Sequence, residues 1–264
     1  MKALLLALQF LTCIPVALRF EPQPADWGRS ALAYPLIGLL IGLLLAGLQR
    51  LVGHADPLLQ AALLAVAWVL LTGGLHLDGL ADSADAWVGG RGNRERTLAI
   101  MKDPRSGPAG VSAIVLALLL KFAALAALAK AGAYDPAQAG FMACSGSESP
   151  CGAWPALLLA PLLGRSALVV LLLTTPYVRP GGLGSALSAH LPRAAAGLVL
   201  LLALAASLLL AGRPGGFALA GAAITWLALR QMMMHRLGGM TGDTMGAAVE
   251  LTEVAALVAV ALGA

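Results

Sequence analysis

Seven stretches of about 20 apolar residues, near 31–50, 57–75, 109–130, 153–173, 194–212, 215–235 and 246–263, recur along the chain, each bounded by Pro, Gly or charge. A helix needs roughly 20 such residues to cross the hydrocarbon core of a bilayer. The chain is therefore expected to be all-α: a polytopic integral membrane helical bundle of about seven transmembrane helices, forming a single domain over residues 1–264. Only 11% of its residues are charged and 59% are hydrophobic, against about 25% charged in an ordinary soluble domain. This excludes a soluble globular protein, a disordered chain and a coiled coil with charged flanking positions.

Residues 3–18 make an eighth, shorter apolar run behind Lys2. It has no clear small-residue cleavage site before the next polar segment, so we expect a retained interfacial or half-inserted helix broken at Pro15. The net charge is +4, from 17 basic against 13 acidic residues; the basic residues are scattered along the chain and form no stripe that could track a nucleic-acid backbone.

Alternating the loops between the two sides places Arg19, Arg29, Arg91, Arg94, Arg96, Lys102, Arg105, Arg179, Arg193 and Arg236 together, and leaves only Arg50, Lys130 and Arg213 opposite. The positive-inside rule puts the first set in the cytoplasm. Residues 131–152 then form an external loop. Cys144 and Cys151 fall there, where a disulfide and two free thiols are equally compatible with the spacing. No fixed-period repeat supports a transporter of the inverted-repeat kind.

Three of the 13 acidic residues, Asp78, Asp82 and Asp85, fall within eight positions. At 100° per residue they share one helical face within about 60° of arc. Like charges so placed destabilise a helix unless a cation sits between them, and the hard oxygen donors suit Mg²⁺ or Mn²⁺ better than Zn²⁺. A solvated face of an interfacial helix is the simpler alternative. The next loop adds Arg91, Arg94, Arg96, Lys102 and Arg105 on the same side. Acids backed by a basic loop suggest phosphate chemistry, in which a metal bridges phosphoryl oxygens and the cations neutralise the rest.

A second acidic patch, Gly239-Met240-Thr241-Gly242-Asp243-Thr244-Met245-Gly246, runs into the last span with Glu250 and Glu253. Its glycines would let backbone approach a ligand; a plain helix cap at Asp243 is the competing reading. Glu250, Lys121 and Arg165 lie inside apolar windows, where ionisable residues are functional candidates and each cation is a potential partner for an inward carboxylate. His76 stands just ahead of the first acids. Gly38 and Gly42 form a small-xxx-small pair suited to helix packing.

Gly73-Gly74-Leu75-His76-Leu77-Asp78-Gly79-Leu80-Ala81-Asp82-Ser83-Ala84-Asp85, followed by Ile100-Met101-Lys102-Asp103-Pro104-Arg105 and Gly107, resembles the cobalamin synthase family, the adenosylcobinamide-GDP ribazoletransferases. Ala7-Leu8-Gln9-Phe10-Leu11-Thr12-Cys13-Ile14-Pro15, Tyr34-Pro35-Leu36-Ile37-Gly38 and the Thr241-Gly242-Asp243 motif with Glu250 extend the resemblance over nearly the whole chain. Cys13 departs from it, since the family usually has Arg there.

The resemblance implies an inner-membrane, multi-pass enzyme with its active site on the cytoplasmic face. It would join adenosylcobinamide-GDP to α-ribazole, or its 5′-phosphate, with release of GMP and a requirement for Mg²⁺. On this reading Asp78, Asp82 and Asp85 hold the metal, and Asp82, Asp85, Lys102, Arg105 and Asp243 serve the transfer. His76, Arg91, Arg94, Arg96, Lys121, Arg165, Thr241, Gly242 and Glu250 contact substrate. A homo-oligomer is left open, and nucleic acid is not expected as a partner. Two rivals differ in pattern. A CDP-alcohol lipid-headgroup phosphotransferase would place Ala-Arg after its first Asp-Gly, whereas Ala81 here precedes Asp82. A cation transporter would want acids at mid-membrane on several helices.

Overall fold

The computed structural model describes residues 2–131 and 154–263, so Cys144, Cys151 and most of the loop holding them lie outside the described residues. The described chain folds into α1 (Lys2–Leu11), α2 (Pro24–Ser30), a 3₁₀ turn (Ala31–Ala33), α3 (Tyr34–Val52), α4 (Pro57–Thr72), α5 (Leu75–Gly90), α6 (Arg94–Ile100), α7 (Pro108–Ala131), α8 (Trp154–Thr174), α9 (Gly182–Ala189), α10 (Arg193–Leu237) and α11 (Gly242–Gly263). Among the described residues, five helical segments are long and apolar enough to cross a membrane, and up to seven if each of two sharply bent pairs counts as one span. The seven apolar windows fall on α3, α4, α7, α8, the two arms of α10 and α11. Gly212 (φ 52°) breaks α10 between those arms, and Gly215 packs against the Ser207 carbonyl across the reversal.

The N-terminal helix is shorter than expected. It stops at Leu11 rather than Pro15, because the Thr12 hydroxyl donates back to the Leu8 carbonyl (2.7 Å) and the Cys13 amide donates to the Leu71 carbonyl at the end of α4 (2.8 Å). Ten residues rise only about 15 Å. With Leu6, Ala7 and Leu11 buried, α1 lies against the bundle without crossing.

Close helix contacts follow the small residues, as expected where lipid removes most of the hydrophobic drive between helices. Gly38 of α3 sits on the backbone of Pro161 in α8, and a Cβ at Gly42 would lie 2.7 Å from the Leu157 carbonyl. Pro161 has no N–H to offer that carbonyl. Gly42 thus brings the α3 backbone against a carbonyl that lacks its usual i+4 amide donor.

The turn that matters most for function follows α4. Asp56 caps α4 through the Leu58 amide (2.9 Å) with Pro57 in the first turn. At the other end Gly73 (φ 63°) and Gly74 (φ 71°) are both left-handed, a conformation costly for any residue with a Cβ. The chain leaves this pair at 89° to α4, so the acid-bearing α5 runs across the bundle rather than continuing the span.

Candidate active site

Helix α5 meets the start of α11 at two glycines. A Cβ at Gly79 would fall 2.7 Å from the Asp243 carbonyl oxygen and 3.2 Å from the Gly246 Cα, and one at Gly246 would fall 3.3 Å from the Gly79 Cα. This contact brings together the two acidic motifs, which are far apart in sequence. Asp82 is within electrostatic reach of Asp78, Asp85, Asp243 and Arg179. Asp78 is exposed, while Asp82, Asp85 and Asp243 are half-buried.

The three α5 carboxylates share a face but not a role. Asp85 accepts from the Gly107 amide (2.6 Å) and the Gly110 amide (2.9 Å), so both of its oxygens tie down the N-terminus of α7. Asp78 and Asp82 have no hydrogen bond or ion pair to another side chain among the described residues.

Thr241 and Thr244 cap α11: the Thr241 amide donates to the Thr244 hydroxyl (2.9 Å), and the Thr244 amide donates to the Thr241 hydroxyl (3.2 Å). Asp243 is therefore not the cap. It stands in the first turn, where the helix dipole favours an anion, and its Oδ2 pairs with Arg179 Nη1 at 2.8 Å. The Arg179 segment is held against the α11 entry by backbone. The Met240 amide donates to the Pro176 carbonyl (2.8 Å), the Val178 amide donates to the Met240 carbonyl (3.0 Å), and Gly239 packs directly on Pro176. Gly242 is exposed beside them.

The basic loop divides in the same way. Arg94 Nε donates to the Leu237 carbonyl (2.8 Å), satisfying the end of α10, while Arg236 reaches back to the Trp87 carbonyl (2.7 Å). These links fix the loop beside the site. Arg105 forms a two-pronged contact with Asp103 (2.6 and 2.9 Å), which lowers the Asp103 carboxyl to about 2. Arg91, Arg96 and Lys102 are exposed.

The mid-span residues form a separate, buried network. Lys121 of α7 donates to Glu250 (2.9 Å) and Glu253 (2.8 Å) of α11, and Arg165 of α8 pairs with Glu253. The Lys121 ammonium also lies 4.4 Å from the Trp68 ring centroid on α4. All four charged side chains are at most 3% exposed. Each cation thus partners an inward carboxylate, as its place inside an apolar window suggested, and the network joins four helices; Arg165 Nε and Nη2 have no hydrogen-bond partner. His76 is buried beside Gly246, with Nδ1 unpartnered.

Sequence reasoning missed two residues. Arg179 counted only as an orientation charge, and nothing in its spacing links it to Asp243. Glu253 was noted beside Glu250, and an acid three residues further along the same apolar helix was the signal that could have ranked it higher.

The fold and site define a polytopic helical membrane protein with carboxylates, an arginine and a basic loop gathered on one face. The family described as cobalamin-5-phosphate synthase matches residues 3–261, and the chain belongs to that enzyme family. It is 57% identical over 257 residues to a protein of Pseudomonas fluorescens named adenosylcobinamide-GDP ribazoletransferase, covering 97% of this chain and 98% of the relative. Proteins of the same name from Pseudomonas paraeruginosa and Stutzerimonas stutzeri are 55% and 54% identical, each over 99% of this chain and 98% of the relative. No solved structure matches.

Proposed function

We propose that the chain transfers the adenosylcobinamide-phosphate moiety of adenosylcobinamide-GDP to α-ribazole or its 5′-phosphate, releasing GMP and leaving adenosylcobalamin or its 5′-phosphate. The observation that carries this reading is the Gly79–Gly246 contact, which brings the start of α11, with Asp243, against the helix that carries Asp78 and Asp82, with Arg179 in electrostatic reach. A ribose hydroxyl attacks the phosphorus on the cobinamide side, the bond from that phosphorus to the GMP oxygen breaks, and the hydroxyl proton leaves to solvent at this open face. Catalysis of such a step rests on positioning and on neutralising phosphoryl charge.

Mg²⁺ fits the residues present. Among the described residues no three of His, Cys, Asp and Glu are grouped to hold a metal unaided, and Mg²⁺ is commonly bound by one or two carboxylates together with water and substrate phosphates. Asp78 and Asp82 would hold it, rather than Asp85, whose oxygens serve the α7 amides. When bound, the ion would neutralise diphosphate oxygens. Lys102 and the other loop cations would draw the anionic donor to the face, and Arg105 would do so from its place beside Asp103. Asp243 and Arg179 would hold the α11 entry against it.

The cation excess on one side supports a cytoplasmic position for this face, and with it the inner membrane. A transporter reading gains nothing from mid-span, where Lys121 and Arg165 neutralise Glu250 and Glu253.

The test is purified protein supplied with adenosylcobinamide-GDP, α-ribazole and Mg²⁺. GMP and a corrinoid carrying the ribazole are expected in equal amounts. Release of GDP, or GMP formation that does not depend on ribazole, overturns the reading.

A further inference from the structure

Arg179 presents two faces. Its Nη1 is paired with Asp243 Oδ2 at 2.8 Å, while Nε and Nη2, which form the side-on fork of the guanidinium, are buried and have no hydrogen-bond partner. Burying a charged donor without a partner is unfavourable. The side-on fork of an arginine matches two oxygens of one phosphoryl group. The side chain as a whole is 21% exposed, so it stands at the edge of the carboxylate face rather than in the core.

The backbone leading into it is fixed. The Met240 amide donates to the Pro176 carbonyl and the Val178 amide donates to the Met240 carbonyl, so the segment just ahead of Arg179 is registered against the loop that carries Asp243. Asp82 is within electrostatic reach of both Arg179 and Asp243. A cation facing several carboxylates needs only one of them to orient it, and here Asp243 takes a single nitrogen.

We propose that Arg179 is a substrate-binding residue whose free Nε–Nη2 fork takes a phosphoryl group, with Asp243 orienting the guanidinium from its other side. The proposal rests on the transfer reading above and names a contact that reading leaves unassigned. Two sources share this chemistry, the diphosphate of the nucleotide donor and the 5′-phosphate of the acceptor. The fork is covered in the structure as it stands, so engagement includes a side-chain adjustment.

Arg179→Lys separates the two faces, because an ammonium retains the Asp243 pair but cannot supply the fork. Two readouts are needed: binding of adenosylcobinamide-GDP with acceptor withheld, followed by corrin absorbance, and KM against kcat for the donor, α-ribazole and α-ribazole 5′-phosphate. Loss of two charged hydrogen bonds is expected to weaken one phosphorylated substrate on the order of tenfold or more, with the KM for unphosphorylated ribazole unchanged and the melting temperature near wild type.

Weakened donor binding assigns the fork to the diphosphate; a raised KM confined to ribazole 5′-phosphate assigns it to the acceptor. Donor binding and both phosphorylated-substrate KM values at wild-type levels overturn the proposal while GMP release still supports the transfer. Donor binding that depends on Arg179 in a protein releasing no GMP keeps the fork and overturns the transfer. A Lys variant with a lowered melting temperature and all three KM values raised alike shows a structural role and overturns it.

Discussion

Gly79 and Asp243 are in backbone contact: a methyl group added at Gly79 would fall 2.7 Å from the Asp243 carbonyl oxygen. No other residue type allows α5 and α11 this approach, and the approach sets the separation between the two acidic motifs. Gly79→Ala should cost about 1–3 kcal/mol through overpacking. A shift of about 1 Å in a reacting constellation should lower turnover on the order of 100-fold. Gly47→Ala is the matched comparison, since nothing lies within 4 Å of the added Cβ, and it should behave as wild type. Equal turnover for the two variants would show that the close approach is dispensable.

The carboxylates should separate by role. Asp82→Asn and Asp243→Asn should each reduce turnover by about 100-fold or more, the scale for losing a positioned electrostatic group, with a raised Mg²⁺ requirement and little change in folding. Asp85→Asn leaves the Gly107 and Gly110 amides poorly paired, so it should lower stability by roughly 1–3 kcal/mol and expose residues 101–107 to protease. Mg²⁺ titrations of activity beside melting curves decide this. An Asp85 variant that melts like wild type yet needs far more Mg²⁺ would return Asp85 to the metal site.

Glu253 faces both buried cations, and Glu253→Gln leaves Arg165 without its partner. Breaking a buried pair from one side costs about 3–5 kcal/mol, so the variant should accumulate poorly or melt much lower. Replacing Arg165 and Glu253 together by Met removes both charges and should recover much of the loss, because Lys121 keeps Glu250. If the double variant is no more stable than Glu253→Gln, the network is not held together by this pair.

Orientation can be checked independently of activity. A cysteine at Gly92, exposed in the basic loop, should resist a membrane-impermeant thiol reagent in intact cells and react after permeabilisation, with Cys13, Cys144 and Cys151 first replaced by Ser. Labelling in intact cells would invert the topology.

The spans, the common face of Asp78, Asp82 and Asp85 and the helix-packing role of Gly38 and Gly42 were legible in the sequence because each follows from local spacing: length for a span, 3- and 4-residue offsets for a face or a close contact. The division of labour among the acids was not legible. Asp85 looks like its neighbours until α7 presents two amides to it, and Asp243 looks like a helix cap until the Thr241 and Thr244 hydroxyls are seen in that place.

By itself the sequence determined that this chain is a membrane bundle with an acidic face, a basic loop beside it and charge marking one side, since periodicity and composition act over a few residues. Only the tertiary structure decided that Arg179 meets Asp243, that Arg94 holds the end of α10 and that Lys121 and Arg165 converge on Glu253. These partners lie on different helices. Which of them meet depends on the right-angle turn at Gly73–Gly74 and on how closely Gly79 and Gly246 let two backbones approach.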